Sequence, residues 1–326
     1  SVFLQEPGYT GQSKDKLTGG KVQNAITQAV TTQLTSWANH KKNQGTVNAL
    51  CQRVAATALR RQKEQEARNV QKAANSLSAA PLPPKLKDCE RTSGGDLELY
   101  ICEGDSALST ITAARFSENQ AVFPVRGKPM SAINNTMAAL VANKEIQGII
   151  NTLGAGVGDD FDITRMRYDR VFIAVDADED GNDIACLIYL LFWRLFRPVV
   201  EENRLFMLQP PLFVFSSVTG LAADERLYAQ NEAEKDRMVA ELKGAGKKFV
   251  LSRMKGLGEM DQEDMTVTSM DKDTRSVIQI EYTDVAVLEE TVRRLFDKRE
   301  ADARKEWLLA AGVEDENFLA LEDSAL

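Results

Sequence analysis

A chain of 326 residues with 43% hydrophobic content is long enough to bury a substantial core, and its length predicts about two domains. Its net charge of −8 excludes a protein that coats nucleic acid through its overall field, so any DNA contact must be local or shared with a more basic partner. No apolar run approaches the roughly 20 residues that a membrane span requires; no signal peptide is visible, and Ser1 in place of Met fits a cut or engineered start.

From Lys21 to Asn39, and again from Thr46 to Leu77, apolar residues recur at helical spacing, which predicts two helices, the second long enough to act as a lever. Basic residues at Arg53, Arg60, Arg61, Lys63, Arg68 and Lys72 fall on that second helix and read as its solvated polar face. His40, the only histidine, lies in a polar segment and is expected at the surface. The run Ser78-Ala-Ala-Pro81-Leu-Pro83-Pro84 cannot continue a helix, and Ser93-Gly94-Gly95 follows it. The chain therefore divides into a helical segment over 1–77, a linker over 78–96 and a domain over 97–326.

In that domain the strand patterns Leu97 to Cys102, Ala121 to Phe123, Val171 to Val175 and Leu205 to Leu208 alternate with helical stretches. Those begin at Ser106, fall twice between Met130 and Leu153, and run from Asp183 to Glu202. Such alternation defines the α/β class, a mainly parallel sheet with helices on both faces, whose ligands bind beyond the carboxyl ends of the strands. A helical excursion within about 217–247, a strand near Phe249 and a charged tail helix from Val285 to Leu309 complete the chain.

The most informative run is Arg170-Val-Phe-Ile-Ala-Val-Asp176-Ala-Asp178-Glu-Asp180-Gly181. Residues two apart on an extended chain point the same way, so three carboxylates crowd one spot. At about 4 Å each like-charge pair repels by about 4 kcal/mol at an effective dielectric near 20, which a divalent cation offsets. The pattern reads as a hard-metal site for Mg²⁺. An EF-hand loop opens similarly but needs a glutamate at its twelfth position, where this chain has Leu187, and a helix before it. An aspartyl-phosphate phosphatase and a solvated acidic turn closed by Gly181 are weaker rivals, because neither needs Asp180. The four cysteines have neither zinc-ligand spacing nor the density of a secreted scaffold, which points to reduced thiols in the cytoplasm.

Four motifs in order, Glu103-Gly104-Asp105-Ser106-Ala107, Pro124-Val-Arg126-Gly-Lys128, Asp176-Ala-Asp178-Glu-Asp180-Gly181 and Lys255-Gly-Leu-Gly-Glu-Met260, resemble the B subunits of bacterial type IIA DNA topoisomerases. Pro84-Lys-Leu-Lys-Asp-Cys89 resembles that family's linker, and Gly11-Gln12-Ser-Lys14 its loop that reaches the γ-phosphate of ATP. The resemblance implies a Toprim fold preceded by the helical end of a transducer domain. It implies Mg²⁺, with Mn²⁺ or Ca²⁺ able to substitute in binding, on Glu103, Asp176, Asp178 and Asp180.

Glu103 would also shuttle a proton at the 3′-oxygen, with Arg126, Lys128 and Lys255 on the phosphate, Gln12 and Lys14 sensing ATP, and Asp105 and Ser106 near DNA. The family's nucleotide pocket has no counterpart in these residues, so ATP belongs to the full-length subunit. The attacking tyrosine belongs to a partner A subunit in an A2B2 assembly on double-stranded DNA, in the cytoplasm at the nucleoid, with no membrane. Arg167-Tyr168 mimics the Arg-Tyr pair around that nucleophile, but Tyr168 is expected to be structural. Departures from the family stand at Leu108 and Ser109, Pro129, and Asp183-Ile184. Another Toprim enzyme (primase or nuclease) and a non-catalytic topoisomerase-like regulator are the alternatives, and gyrase and topoisomerase IV are not distinguished.

Overall fold

A computed structural model describes residues 8–9, 17–18, 20–222, 225–254, 256–281 and 284–310. The contacts divide the chain into two units, Ser1–Ala67 and Arg68–Leu326. In the first, β1 (Gly8–Tyr9) pairs antiparallel with β2 (Leu17–Thr18), and α1 (Gly20–Asn39) is followed by α2 (Gln44–Ser78). The six basic residues of α2 are all exposed, as is His40. The division falls inside α2, whereas the sequence suggested the proline-rich segment after it. Within the second unit the last turns of α2 are tied down, since Ala74 is fully buried and the Gln71 amide donates to the Val157 carbonyl at 2.8 Å.

The second unit continues with β3 (Glu98–Glu103), α3 (Gly104–Ala114), β4 (Gln120–Val125), α4 (Met137–Ala142), α5 (Lys144–Leu153), β5 (Arg170–Ala174), α6 (Glu179–Leu195), α7 (Arg197–Glu201) and β6 (Leu205–Leu208). After them come β7 (Phe213–Ser216), β8 (Leu227–Ala229), α8 (Glu232–Gly244), β9 (Val250–Arg253), α9 (Gln262–Met265), β10 (Val277–Gln279), α10 (Val285–Phe296) and α11 (Ala301–Ala310). The main sheet has the order β10-β6-β5-β3-β4, parallel except for the antiparallel edge strand β10.

Because both faces of β3 are covered, its residues read as an unbroken apolar run while still alternating between two cores. Leu99 and Ile101 join the core that includes Ile150 and Ile188, whereas Tyr100 and Cys102 join the one that includes Ile111 and Leu257. The register sets Tyr100 opposite Phe172 and Phe172 opposite Phe206, with ring centroids 4.8 and 5.1 Å apart. Such buried aromatics are worth about 1.5–3 kcal/mol each in removed apolar surface.

Three segments differ from the sequence expectation. The long helix predicted from Asp183 to Glu202 starts four residues earlier and breaks at Phe196, because Asp178 caps its beginning and Pro198 sits in the first turn of α7. The excursion over 217–247 is helical only in α8; β7, β8 and β9 form a separate antiparallel sheet of order β8-β7-β9 around Phe213, Phe215 and Leu242. Strands of three or four residues carry too little periodicity to stand out beside an amphipathic helix. The tail helix is two helices, parted where Asp297 accepts the Arg299 N–H.

Candidate active site

Parallel pairing aligns the ends of the central strands. Glu103 is the last residue of β3 and sits opposite Val125, the last of β4, while Cys102 sits opposite Ala174, the last of β5. Glu103, Arg126 and Asp176 therefore emerge along one edge of the sheet. The chain turns from Glu103 directly into α3 through Gly104, whose φ of +77° lies in the left-handed region that a side chain disfavours. This turn keeps Glu103 half-buried at the rim and Asp105 and Ser106 exposed on the first turn of α3.

The Met254–Met260 motif arrives at the same place. The Leu257 N–H donates to Asp176 Oδ1 at 2.8 Å. A Cβ on Gly256 would stand 2.8 Å from Asp176 Oδ2, and one on Gly181 would stand 2.1 Å from the Asp176 carbonyl oxygen. Gly256 thus lets backbone approach this carboxylate, and Gly181 lets the first turn of α6 close against the Asp176 backbone. Lys255 itself lies outside the described residues, as do Gln12 and Lys14.

Each aspartate of the triplet has its own partner. Asp176 accepts from Leu257, Asp178 Oδ1 accepts the Gly181 N–H at 2.7 Å as the N-cap of α6, and Asp180 Oδ1 lies 3.1 Å from Lys128 Nζ. Lys128 also reaches Asp183 Oδ2 at 2.9 Å, and Arg126 pairs with Asp105 at 3.1 Å. Held this way, the carboxylates are splayed. Among the described residues, no three His, Cys, Asp or Glu side chains converge closely enough to hold a metal ion.

The donor set nevertheless fits a hard divalent cation. Burial and the neighbouring charges of Asp176, Asp178 and Asp180 raise the pKa of Glu103 above its ordinary value, and Lys128 only partly offsets them. Hard oxygen donors whose like charges exceed the cations facing them are the usual setting for Mg²⁺. Hydrogen bonds that Lys128 donates to Asp183 and Asp180 in turn raise its pKa.

Tyr168, by contrast, is 2% exposed and its hydroxyl donates to Asp88 Oδ1 at 2.7 Å, beside the Arg167 guanidinium at 2.6 Å from Asp88 Oδ2. Burial drives its pKa upward, and a buried phenol in that network is a structural group. Sequence reasoning missed two participants. Leu257 acts through its backbone, which leaves no side-chain signature, although the Gly-Leu-Gly spacing hinted at close approach. Asp183 was noted only as a departure, but its position three residues after Asp180 sets both on one face of α6.

A sheet of this order with its carboxylates at the carboxyl edge is a Toprim domain, and residues 98–209 match that family. Residues 1–70 match the family described as DNA gyrase B, and residues 246–309 the carboxyl terminus of the DNA gyrase B subunit. The chain is 35% identical to the DNA gyrase B subunit of Thermotoga maritima over 297 residues, 91% of this chain and 45% of that protein. It is 31% identical to that of Streptomyces coelicolor over 98% of this chain and 46% of the relative, and 32% identical to that of Mycolicibacterium smegmatis over 98% and 47%. The chain belongs to the type IIA topoisomerase B subunits, the family matched under the description DNA gyrase B. It spans about half the length of the curated relatives it matches.

Proposed function

We propose that this chain supplies the metal-binding half of a type IIA topoisomerase active site, which cuts and reseals both strands of DNA with a tyrosine from a partner A subunit in an A2B2 assembly. The observation that carries this reading is the cluster of like charge that Glu103, Asp176, Asp178 and Asp180 form at the carboxyl edge of a parallel sheet. Mg²⁺ bound by these four carboxylates, or Mn²⁺ or Ca²⁺ in binding alone, would stabilise charge on the oxygens around the scissile phosphate.

The chain's own residues do the rest. Glu103, the last residue of β3, would give a proton to the leaving 3′-oxygen on cleavage and take it back on religation. Arg126, Lys128 and Lys255 hold the DNA phosphates, and the fixed Leu257 N–H orients Asp176. Asp105 and Ser106 lie next to the DNA, and Gln12 and Lys14 report ATP hydrolysis from the full-length subunit. The enzyme works on chromosomal DNA in the cytoplasm, and among the described residues no helix is long and apolar enough to cross a membrane.

The test is a cleavage assay with supercoiled plasmid, the cognate A subunit and a Mg²⁺ titration. Covalent A-subunit–DNA adducts that depend on this chain and on the metal support the reading. Adducts on the chain itself, or cleavage without any A subunit, point to another Toprim nuclease.

A further inference from the structure

We propose that Asp183 is a positioning residue for Lys128, the anchor to which its ammonium withdraws when a divalent cation takes Asp180. The inference rests on the metal reading above. Lys128 Nζ bridges Asp180 at 3.1 Å and Asp183 at 2.9 Å, two carboxylates one helical turn apart on α6. Of these, Asp180 belongs to the carboxylate set and Asp183 stands beside it.

A divalent cation and an ammonium cannot share Asp180 without repelling each other. If Asp180 were the sole partner of Lys128, each metal ion bound would have to expel the lysine into solvent, and the lysine would compete for the site. With Asp183 present the ammonium gives up one of two ion pairs and keeps the other. It thereby stays at the rim, within reach of the phosphate it is proposed to hold. Arg126 needs no such device, because its partner Asp105 lies outside the carboxylate set. Lys128, Asp180 and Asp183 are all substantially exposed, at 54%, 77% and 43%, so the pairs can exchange without unfolding anything.

The experiment is Mn²⁺ binding to the purified chain, followed by the electron paramagnetic resonance signal of free Mn²⁺, for the wild type and the D183N, K128A, K128A/D183N and D183E variants. Losing a nearby negative charge weakens cation binding by itself, so the cycle decides. D183N is expected to weaken Mn²⁺ binding about 3- to 5-fold when Lys128 is present and less than about 2-fold in the K128A background, the size an exposed ion pair allows. K128A alone tightens binding, and D183E restores most of the wild-type affinity.

An equal effect of D183N in both backgrounds overturns the proposal and leaves the metal reading intact, because Asp183 would then only add charge. Wild-type protein without saturable Mn²⁺ binding overturns the metal reading and this inference together. Should D183N melt below the assay temperature, the same cycle run with D183S, alone and with K128A, decides by the same criterion.

Discussion

Glu98 and Glu103 stand at opposite ends of β3 and are treated oppositely by the protein. Glu98 is 3% exposed; its two oxygens accept from Arg275 at 2.7 and 2.8 Å, and one also accepts from the Tyr100 hydroxyl and the Gln120 amide at 3.0 Å each. Burial alone would raise its pKa, but the hydrogen bonds and charge of Arg275, helped by Gln120 and Tyr100, bring it below the ordinary value. Glu103 meets like charge instead, and its pKa goes up. A carboxylate kept for structure is paired until nothing more can be added, and one kept for chemistry is left short of partners. The shortfall is what a metal ion can fill.

The largest expected effect breaks the structural end. Arg275→Ala leaves the buried Glu98 with Arg170, 3.8 Å away, in place of its bidentate partner, which should cost about 3–5 kcal/mol in urea unfolding. Metal-dependent cleavage by the surviving folded protein should be unchanged; a loss under about 1 kcal/mol would mean that water replaces the guanidinium. At the other end, Asp176→Ala should lower Mg²⁺-dependent cleavage with the A subunit by at least about 100-fold, since a lost ligand forfeits several kcal/mol of charge stabilisation. Its stability in chelator should change by less than about 1.5 kcal/mol, because relief of repulsion offsets the lost Leu257 hydrogen bond. Equal loss of fold and activity would erase the contrast between the two ends.

Much of the carboxyl edge was legible because its signals are local. Asp176, Asp178 and Asp180 after a β-branched strand announce like charge at a strand end, and the β/α alternation sets that end beside Glu103; the crowding expected of an extended chain is not found, because Asp180 already lies in the first turn of α6 and the carboxylates are splayed. What holds the two ends of β3 in place was not legible. The Leu257 N–H comes from 81 residues away and the Arg275 guanidinium lies 177 residues from Glu98, distances over which periodicity carries no information. Asp178 was read first for its charge, with a helix cap as the rival reading, and Asp followed by Glu179 and Asp180 at the start of an apolar helix is indeed also a capping signature. The sheet of β7, β8 and β9 was hidden because its strands are too short to impose a period.

Asp178 joins the two kinds of carboxylate in one side chain, and a pair of substitutions separates them. Asp178→Ala should remove the cap of α6 and cost about 0.5–2 kcal/mol, whereas Asp178→Asn keeps an equally good cap and should hold stability within a few tenths of a kcal/mol. Both should lose cleavage alike. If the Asn variant kept most of its cleavage, Asp178 would be a cap and nothing more, and the metal set would shrink to Glu103, Asp176 and Asp180.

The smallest effect is a difference in how the two ends respond to pH in metal-free protein. For Glu98 the folded pKa lies below the unfolded value of 4.5, so its ionised form favours the fold; that contribution is complete above pH 4.5 and is lost as pH falls through the lowered folded pKa. For Glu103 the folded pKa lies above 4.5, so the sign reverses: its ionised form opposes the fold at neutral pH, and protonation relieves the strain as pH falls through the raised value. Chemical unfolding in chelator should therefore show stability rising slightly on mild acidification and then falling below pH 4.5. Glu103→Gln should flatten the rise alone, and Glu98→Gln the fall alone. Saturating Mg²⁺ should also remove the rise, since carboxylates on a metal no longer gain by taking up protons. A rise that survives both Glu103→Gln and Mg²⁺ would trace to groups away from the carboxyl edge, and the opposition between the two ends of β3 would then be geometric without being electrostatic.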